Sequence, residues 1–582
     1  MISTETITAS EAGSQARARQ AAQAALEAAG QAVEPTPAAA FQSAGRTLLV
    51  APQAGPAVAA AQQLADRLTC TVVAPDAVDQ RRGPVRQVPG ELAGLTGFLG
   101  AFDARLATAA GSVSLAAEVD EPGNDFDLVI DFCTPSWIPA ETPPYGYYPV
   151  GDDAAALERA LAEAPAMVGQ FEKPKFFVLD PQICSHGTRG LNACTRCLDA
   201  CPTGAITSLG TEISVDPGLC QGVGVCVTTC PAGAISYAYP RPADLLDAVR
   251  DALAAHRANG GIAPTLLFHD LDAGAERLEA LLPALPERVV PVGVAEVGSV
   301  GMEVWTAALA YGAGRVALLP GDEMAPTAAA TMAREVDYAQ RILGALGAGG
   351  RVCWLAGDDD EVCTALADPP DGLAPPASFR VRNDKRATLR LALQHLQATL
   401  GTPREPLPLP NGAPFGQIRV DSEACTLCLS CAAVCPNQAL ADGGDEAPQL
   451  RFREEACVQC GLCQQACPES AITLEPRFLF DWAQRQSERV LHEEEPAYCP
   501  GCGVAFGTRS SVERMIGRLA DHPMFQNAAD LERLRMCGDC RVKDQFRAEL
   551  DDSGPRKAPR VYGPAPEDGQ WRRRAGRERR KG

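Results

Sequence analysis

Between Asp421 and Pro468 the chain repeats one cysteine pattern twice without interruption. Cys425, Cys428, Cys431 and Cys435-Pro436 are followed by Cys457, Cys460, Cys463 and Cys467-Pro468, each a C-x2-C-x2-C-x3-C-P run. Three cysteines at successive turns of backbone, with a fourth held before a proline, confine eight thiols to 43 residues. Zinc sites repeat C-x2-C pairs at long intervals and need no such triplet. Disulfides are the wrong reading as well, because the first thirty residues carry Glu5, Glu11 and Glu27 and no apolar segment of the kind that directs secretion. The 23 cysteines are therefore expected to be metal ligands in a reducing cytoplasm.

At 582 residues the chain exceeds what one hydrophobic core supports, and roughly three to five domains are expected. A formal charge of −21 argues against nucleic acid as a partner. The longest apolar stretch, 289–320, is broken by Glu296, Glu303 and Arg315, so no direct membrane span is expected. Residues 571–582 carry seven basic side chains against one acidic (Arg572, Arg573, Arg574, Arg577, Arg579, Arg580 and Lys581). Such a tail reads as a solvated end or as a docking element for an acidic partner.

The 421–468 stretch resembles the bacterial two-cluster ferredoxins. That resemblance implies two [4Fe-4S] clusters, the fourth cysteine of each motif crossing to the other cluster. Set A is then Cys425, Cys428, Cys431 and Cys467, and set B is Cys457, Cys460, Cys463 and Cys435. The back end of each motif, Cys-Pro-x-x-Ala-aliphatic, recurs at Cys201–Ile206 and Cys230–Ile235 as well as at Cys435–Leu440 and Cys467–Ile472, which exposes a second, altered module. Its first half reads Cys194-x2-Cys197-x3-Cys201-Pro202, with Leu191 where the leading cysteine belongs and Cys184 seven residues further upstream. Set C is expected to be Cys184, Cys194, Cys197 and Cys230, with His186 as an alternative ligand or an exposed surface residue. In the second half, Cys220-x5-Cys226-x3-Cys230-Pro231, Val223 replaces a cysteine. Set D is left with Cys201, Cys220 and Cys226. Three thiolates resemble the [3Fe-4S] sites of seven-iron ferredoxins; a [4Fe-4S] cluster with an external fourth ligand, or an empty site, are the alternatives.

The expected architecture is multidomain, α+β and α/β. Its parts are a disordered or helical segment (1–44), an α/β domain (45–150), a helical linker (151–175), the altered dicluster module (176–240), a second α/β domain (241–365), a proline-rich linker with one helix (366–413), the intact module (414–480), a four-cysteine zinc-ribbon-like module (481–550) and the basic tail (551–582). In that last module Cys499-Pro-Gly-Cys502 and Cys537-Gly-Asp-Cys540 form two tight knuckles suited to one structural zinc, or to a rubredoxin-like iron. The first α/β domain lacks G-x-G-x-x-G after its first strand, against a dinucleotide site. Cys133, Cys353 and Cys363 read as structural thiols. In the second α/β domain the glycine-rich run 293–301 could seat a phosphate on a helix N-terminus or be a packing turn. Residues 264–356 resemble the methyl-viologen-reducing hydrogenase delta-subunit domain, without its cysteines: Phe268-His269-Asp270 and Glu296-Val297-Gly298 stand in their places. That resemblance implies a docking fold and no fifth cluster.

There is no C-x-x-C-H haem attachment, Walker loop, nucleophile elbow or H-E-x-x-H, so no catalytic residue is assigned. The expected function is an electron-transfer subunit of an oxidoreductase, passing single electrons from a low-potential donor to a redox partner such as a formate dehydrogenase or hydrogenase. The alternative is a redox-sensing or maturation factor for such a metalloenzyme.

Overall fold

The computed structural model describes residues 4–31, 36–119, 125–188, 190–272, 274–322, 324–368, 370–444, 446–525 and 527–552. The basic run at 571–582 lies outside them. Two compact units emerge: Met1–Cys425 with Leu429–Ala441 and Leu450–Leu491, and Thr426–Cys428 with Asp442–Gln449 and His492–Gly582.

The first unit opens with a 27-residue helix, Thr4–Gly30. The sequence leaves this segment either disordered or helical; the helix lies along a second one, Pro242–Ala258. Its small Ala18 and Ala22 are buried, and their size permits the close approach.

The first α/β sheet has the order 147–149, 128–131, 46–50, 69–74, 85–89, 80–82, parallel except for its last strand. Apolar runs such as Leu48–Val50 and Val72–Val73 are buried on both faces, as a covered parallel sheet requires. The second sheet runs Val289–Val294, Thr265–Asp270, Arg315–Leu319, Val352–Trp354, all parallel.

Between these elements lie two modules built alike. In the first, Phe177–Leu179 pairs antiparallel with Ile235–Tyr237, and the short helices Arg196–Ala200 and Val225–Thr229 sit between the strands. In the second, Gly416–Val420 pairs antiparallel with Ile472–Phe478, with helices Ser430–Ala433 and Leu462–Gln465. The segment 366–413 contributes the helix Lys385–Leu400. Its Leu389, Leu393 and Leu396 belong to the largest core cluster, packed on the buried helix Met302–Ala310.

The second unit contains a hairpin, Pro496–Tyr498 with Ala505–Thr508, and helices Arg509–Leu519, Ala528–Arg533 and Gly538–Asp552.

Candidate metal-cluster sites

Each module's thiols are aimed by the same local backbone. After the leading cysteine of an intact motif, the second and fourth residues adopt left-handed φ: Leu427 and Leu429, then Gln459 and Gly461. The third residue after each Cys-Pro cysteine does likewise, at Gly204, Gly233, Gln438 and Ser470. These turns wrap backbone N–H groups around the sulfur atoms. Ala439 N donates to Cys435 Sγ at 3.2 Å and Ala471 N to Cys467 Sγ at 3.3 Å. Bonds of this kind favour the thiolate, the form that binds metal.

In the altered loop the backbone persists while the ligand does not. Gly222 (φ 85°) and Gly224 (φ 79°) occupy the same second and fourth positions after Cys220. Val223 therefore stands where Cys460 stands in the intact loop. Glycine is needed at 224 twice over: the left-handed φ disfavours any side chain, and a Cβ there would lie 2.6 Å from the backbone of Ser299.

Cys184 takes the leading position of the other half. A single turn of 3-10 helix, Pro181–Ile183, ends on it, just as the turn Glu454–Ala456 ends on Cys457. The N–H two residues on, from His186, points at its sulfur, matching Gln459 on Cys457 and Gly222 on Cys220. The extra residues between Cys184 and Cys194 fold into a hairpin, Gly187–Thr188 with Leu191–Asn192, and Leu191 lies in that hairpin rather than in a ligand loop.

His186 is buried, contrary to the expectation of an exposed imidazole. Both ring nitrogens are engaged, Nδ1 with the Cys194 carbonyl and Nε2 with Ser208 Oγ, each at 2.8 Å. It staples the inserted hairpin, and neither nitrogen is left for a metal.

The thiols gather as follows. Cys184, Cys194, Cys197 and Cys230 line one small pocket together with His186 and Ile213. Burial raises the pKa of Cys197, and the charges of Cys230, Cys194 and Cys184 raise it further. Cys226, part-buried, is raised first by desolvation and then by Cys220 and Cys201, with Cys197 and Cys230 behind them. Cys460 is pushed up to about 12 by burial, opposed by the Leu462 N–H and reinforced by Cys457, Cys435 and Cys194. Cys463 is raised by burial and by Cys457, Cys460, Cys435 and Cys431. Of the remaining set A positions, Cys428 is exposed and Cys425 and Cys467 are half-buried. Burial disfavours the free thiolate at Cys197, Cys226, Cys460 and Cys463, and a bound cation would offset that cost, so these donor sets could hold metal.

The glycine-rich run 293–301 is a packing turn. Gly298 O accepts from Thr228 Oγ1 at 2.7 Å, and a Cβ on Gly298 would meet the Val223 carbonyl at 2.2 Å. The start of the following helix is taken by the chain's own Glu303, buried with Lys385 Nζ 3.6 Å away.

In the second unit the sulfur atoms of Cys499, Cys502, Cys537 and Cys540 lie within 4.8 Å of one another, and Cys502 and Cys537 are 3.6 Å apart. A tetrahedron of 2.3 Å zinc–sulfur bonds has edges of about 3.8 Å, so the group could hold such a metal. Burial desolvates Cys499, yet N–H groups of Cys537, Gly501 and Cys502 bring its pKa down to about 6.

Residues 192–234 and 417–479 each match a 4Fe-4S dicluster domain. The chain thus contains two such domains, and Cys184 lies just ahead of the first matched region. No curated protein matches the chain. Among the described residues, no helix is long and apolar enough to cross a membrane.

Proposed function

We propose that the protein is an electron-transfer subunit, a cytoplasmic relay that passes single electrons from a low-potential donor to an oxidoreductase partner such as a formate dehydrogenase or hydrogenase. Sets A, B and C would each hold a [4Fe-4S] cluster and set D a [3Fe-4S] cluster. When bound, such clusters supply one-electron redox chemistry at potentials set by hydrogen bonds, charge and solvent exposure.

The observation that carries this reading is the convergence of Cys184, Cys194, Cys197 and Cys230 on one small pocket, in a module whose twin retains both complete motifs. The chain's own groups have definable tasks there. Backbone N–H groups point at sulfur and favour the charged state. Val223, with no donor atom, leaves set D at three thiols. Lys173, half-buried, has its pKa lowered to about 8 by desolvation, with Cys220 and Asp216 pulling the other way. Arg386, buried against the loop of Cys457, donates to that residue's carbonyl at 3.3 Å. Both cations would favour the more negative, reduced state of the neighbouring site. The four-cysteine group of the second unit is assigned to structural zinc.

The test is anaerobic. Chain reduced with dithionite is mixed with an oxidised ferredoxin or cytochrome, and its visible absorption is followed. Fast, stoichiometric reoxidation is expected; slow and partial reoxidation contradicts a relay.

The exposed Tyr498, Val504, Met524, Val542 and Phe546 favour a second reading, in which that unit binds a metalloenzyme client and the chain acts in its maturation or in redox sensing. A client-bound chain whose clusters are never discharged would fit this reading.

A further inference from the structure

The insertion that displaces Cys184 is also what meets the intact module. Ser185, the residue after Cys184, accepts a hydrogen bond from Asn437 Nδ2 at 2.9 Å. Asn437 is itself two residues after Cys435. The inserted strand Leu191–Asn192 packs on the helix Leu462–Gln465, which begins two residues after Cys460 and contains Cys463. Arg196, two residues after Cys194, donates to the Gly412 carbonyl at 2.5 Å.

Across the same junction, two consecutive residues of one helix reach in opposite directions. Lys385 Nζ donates to the carbonyls of Val227 (2.8 Å) and Thr228 (2.7 Å), at the end of the helix that precedes Cys230. Arg386 donates to the carbonyls of Glu455 (2.5 Å) and Cys457 (3.3 Å). Both side chains are largely withdrawn from water, so neither can let go of its carbonyls cheaply.

We propose that the inserted hairpin and the Lys385–Arg386 pair form one rigid junction through which electrons pass between set C and set B, making the four sites a single path ordered D, C, B, A rather than two separate two-cluster modules. The proposal rests on the cluster assignment made above. Each step moves one electron from a reduced site to the oxidised site beside it, with no bond made or broken. The packing of the Leu191–Asn192 strand on the helix Leu462–Gln465 joins C to B. The helix Val225–Thr229, with Cys226, packs on the helix Arg196–Ala200, with Cys197, and joins D to C; the helix Leu462–Gln465, with Cys463, packs on the helix Ser430–Ala433, with Cys431, and joins B to A. Asn437 acts as a positioning residue, holding the Cys184 and Cys435 loops together.

Pulsed electron paramagnetic resonance on fully reduced full-length chain, with dithionite as reductant, tests this. The set B signal should relax faster in wild type than in Cys194→Ala, where set C is broken. Because Cys194→Ala can lose more than one site, Asn437→Ala is measured beside it. That variant should keep the iron content of wild type yet, when poised half-reduced so that neighbouring sites differ in oxidation state, exchange electrons between modules more slowly than wild type. Unchanged relaxation in Cys194→Ala, with sets A and B still assembled, or unchanged exchange in Asn437→Ala, overturns the junction. Either result with normal discharge to an acceptor leaves the relay standing, whereas loss of discharge in wild type removes the relay itself.

Discussion

The loops at Cys220–Cys226 and Cys457–Cys463 have one backbone and two chemistries. Each has left-handed residues at its second and fourth positions after the leading cysteine, and in each the N–H of that second residue faces the leading sulfur. Of the three cysteine positions in the intact loop only one differs, Val223 against Cys460. The comparison teaches that ligand geometry in this fold belongs to the turn, and that the turn survives removal of a ligand. At Cys184 the converse holds: the backbone of a leading cysteine, a 3-10 turn and an N–H···S contact, is kept although the sequence spacing has been broken.

The largest effect expected from breaking this comparison is at Cys460. Cys460→Ala recreates in set B the three-thiol pattern of set D, and iron analysis should give a loss of one iron with a new [3Fe-4S] resonance in the oxidised protein, while Cys133→Ala loses none. Cys184→Ala should cost set C in the same way, and adding Leu191→Cys should not restore it, because Leu191 lies in the hairpin. Retention of full iron in Cys184→Ala would return the leading position to another residue. Sharpening comes from Val223→Cys. Since the backbone already holds the ligand conformation, the variant should gain iron at set D and lose any [3Fe-4S] resonance of the oxidised wild type.

The smallest effects concern the glycines of the two loops. Gly461→Ala introduces left-handed strain of about 1–2 kcal/mol, with only Leu474 Cδ1 nearby at 3.9 Å. Gly224→Ala carries the same strain and also forces Ser299 to move, so its loss of stability in chemical denaturation should be the greater. Equal losses would mean that the 297–299 turn yields freely.

Legibility in the sequence followed the range of the interactions. Sets A and B could be read because all eight cysteines sit in one short stretch at fixed spacing. Set D was proposed from the single missing cysteine, at Val223. Cys184 was harder, since its role depends on a turn at 181–183 and on His186 folding back to the Cys194 carbonyl, neither of which has a spacing signature. The left-handed glycines at 222, 224 and 233 carried a usable signal, offset by two, four and thirteen residues from Cys220. The sequence leaves residues 1–44 either disordered or helical, because the buried Ala18 and Ala22 of the helix Thr4–Gly30 pack on a helix distant in sequence. The junction through Ser185, Asn437, Lys385 and Arg386 could not be read at all: its residues lie up to 252 positions apart and are ordinary polar side chains until folded. Zinc-like spacing at Cys499–Cys540 was plain, and the clustering of the four sulfurs agrees with it.

The most direct test of the account is Mössbauer spectroscopy on anaerobically prepared chain enriched in the active iron isotope, with wild type and Val223→Cys recorded side by side. The account predicts three [4Fe-4S] components and one [3Fe-4S] component in wild type, and four [4Fe-4S] components in the variant. Identical spectra for the two chains, or only two clusters in wild type, would contradict it.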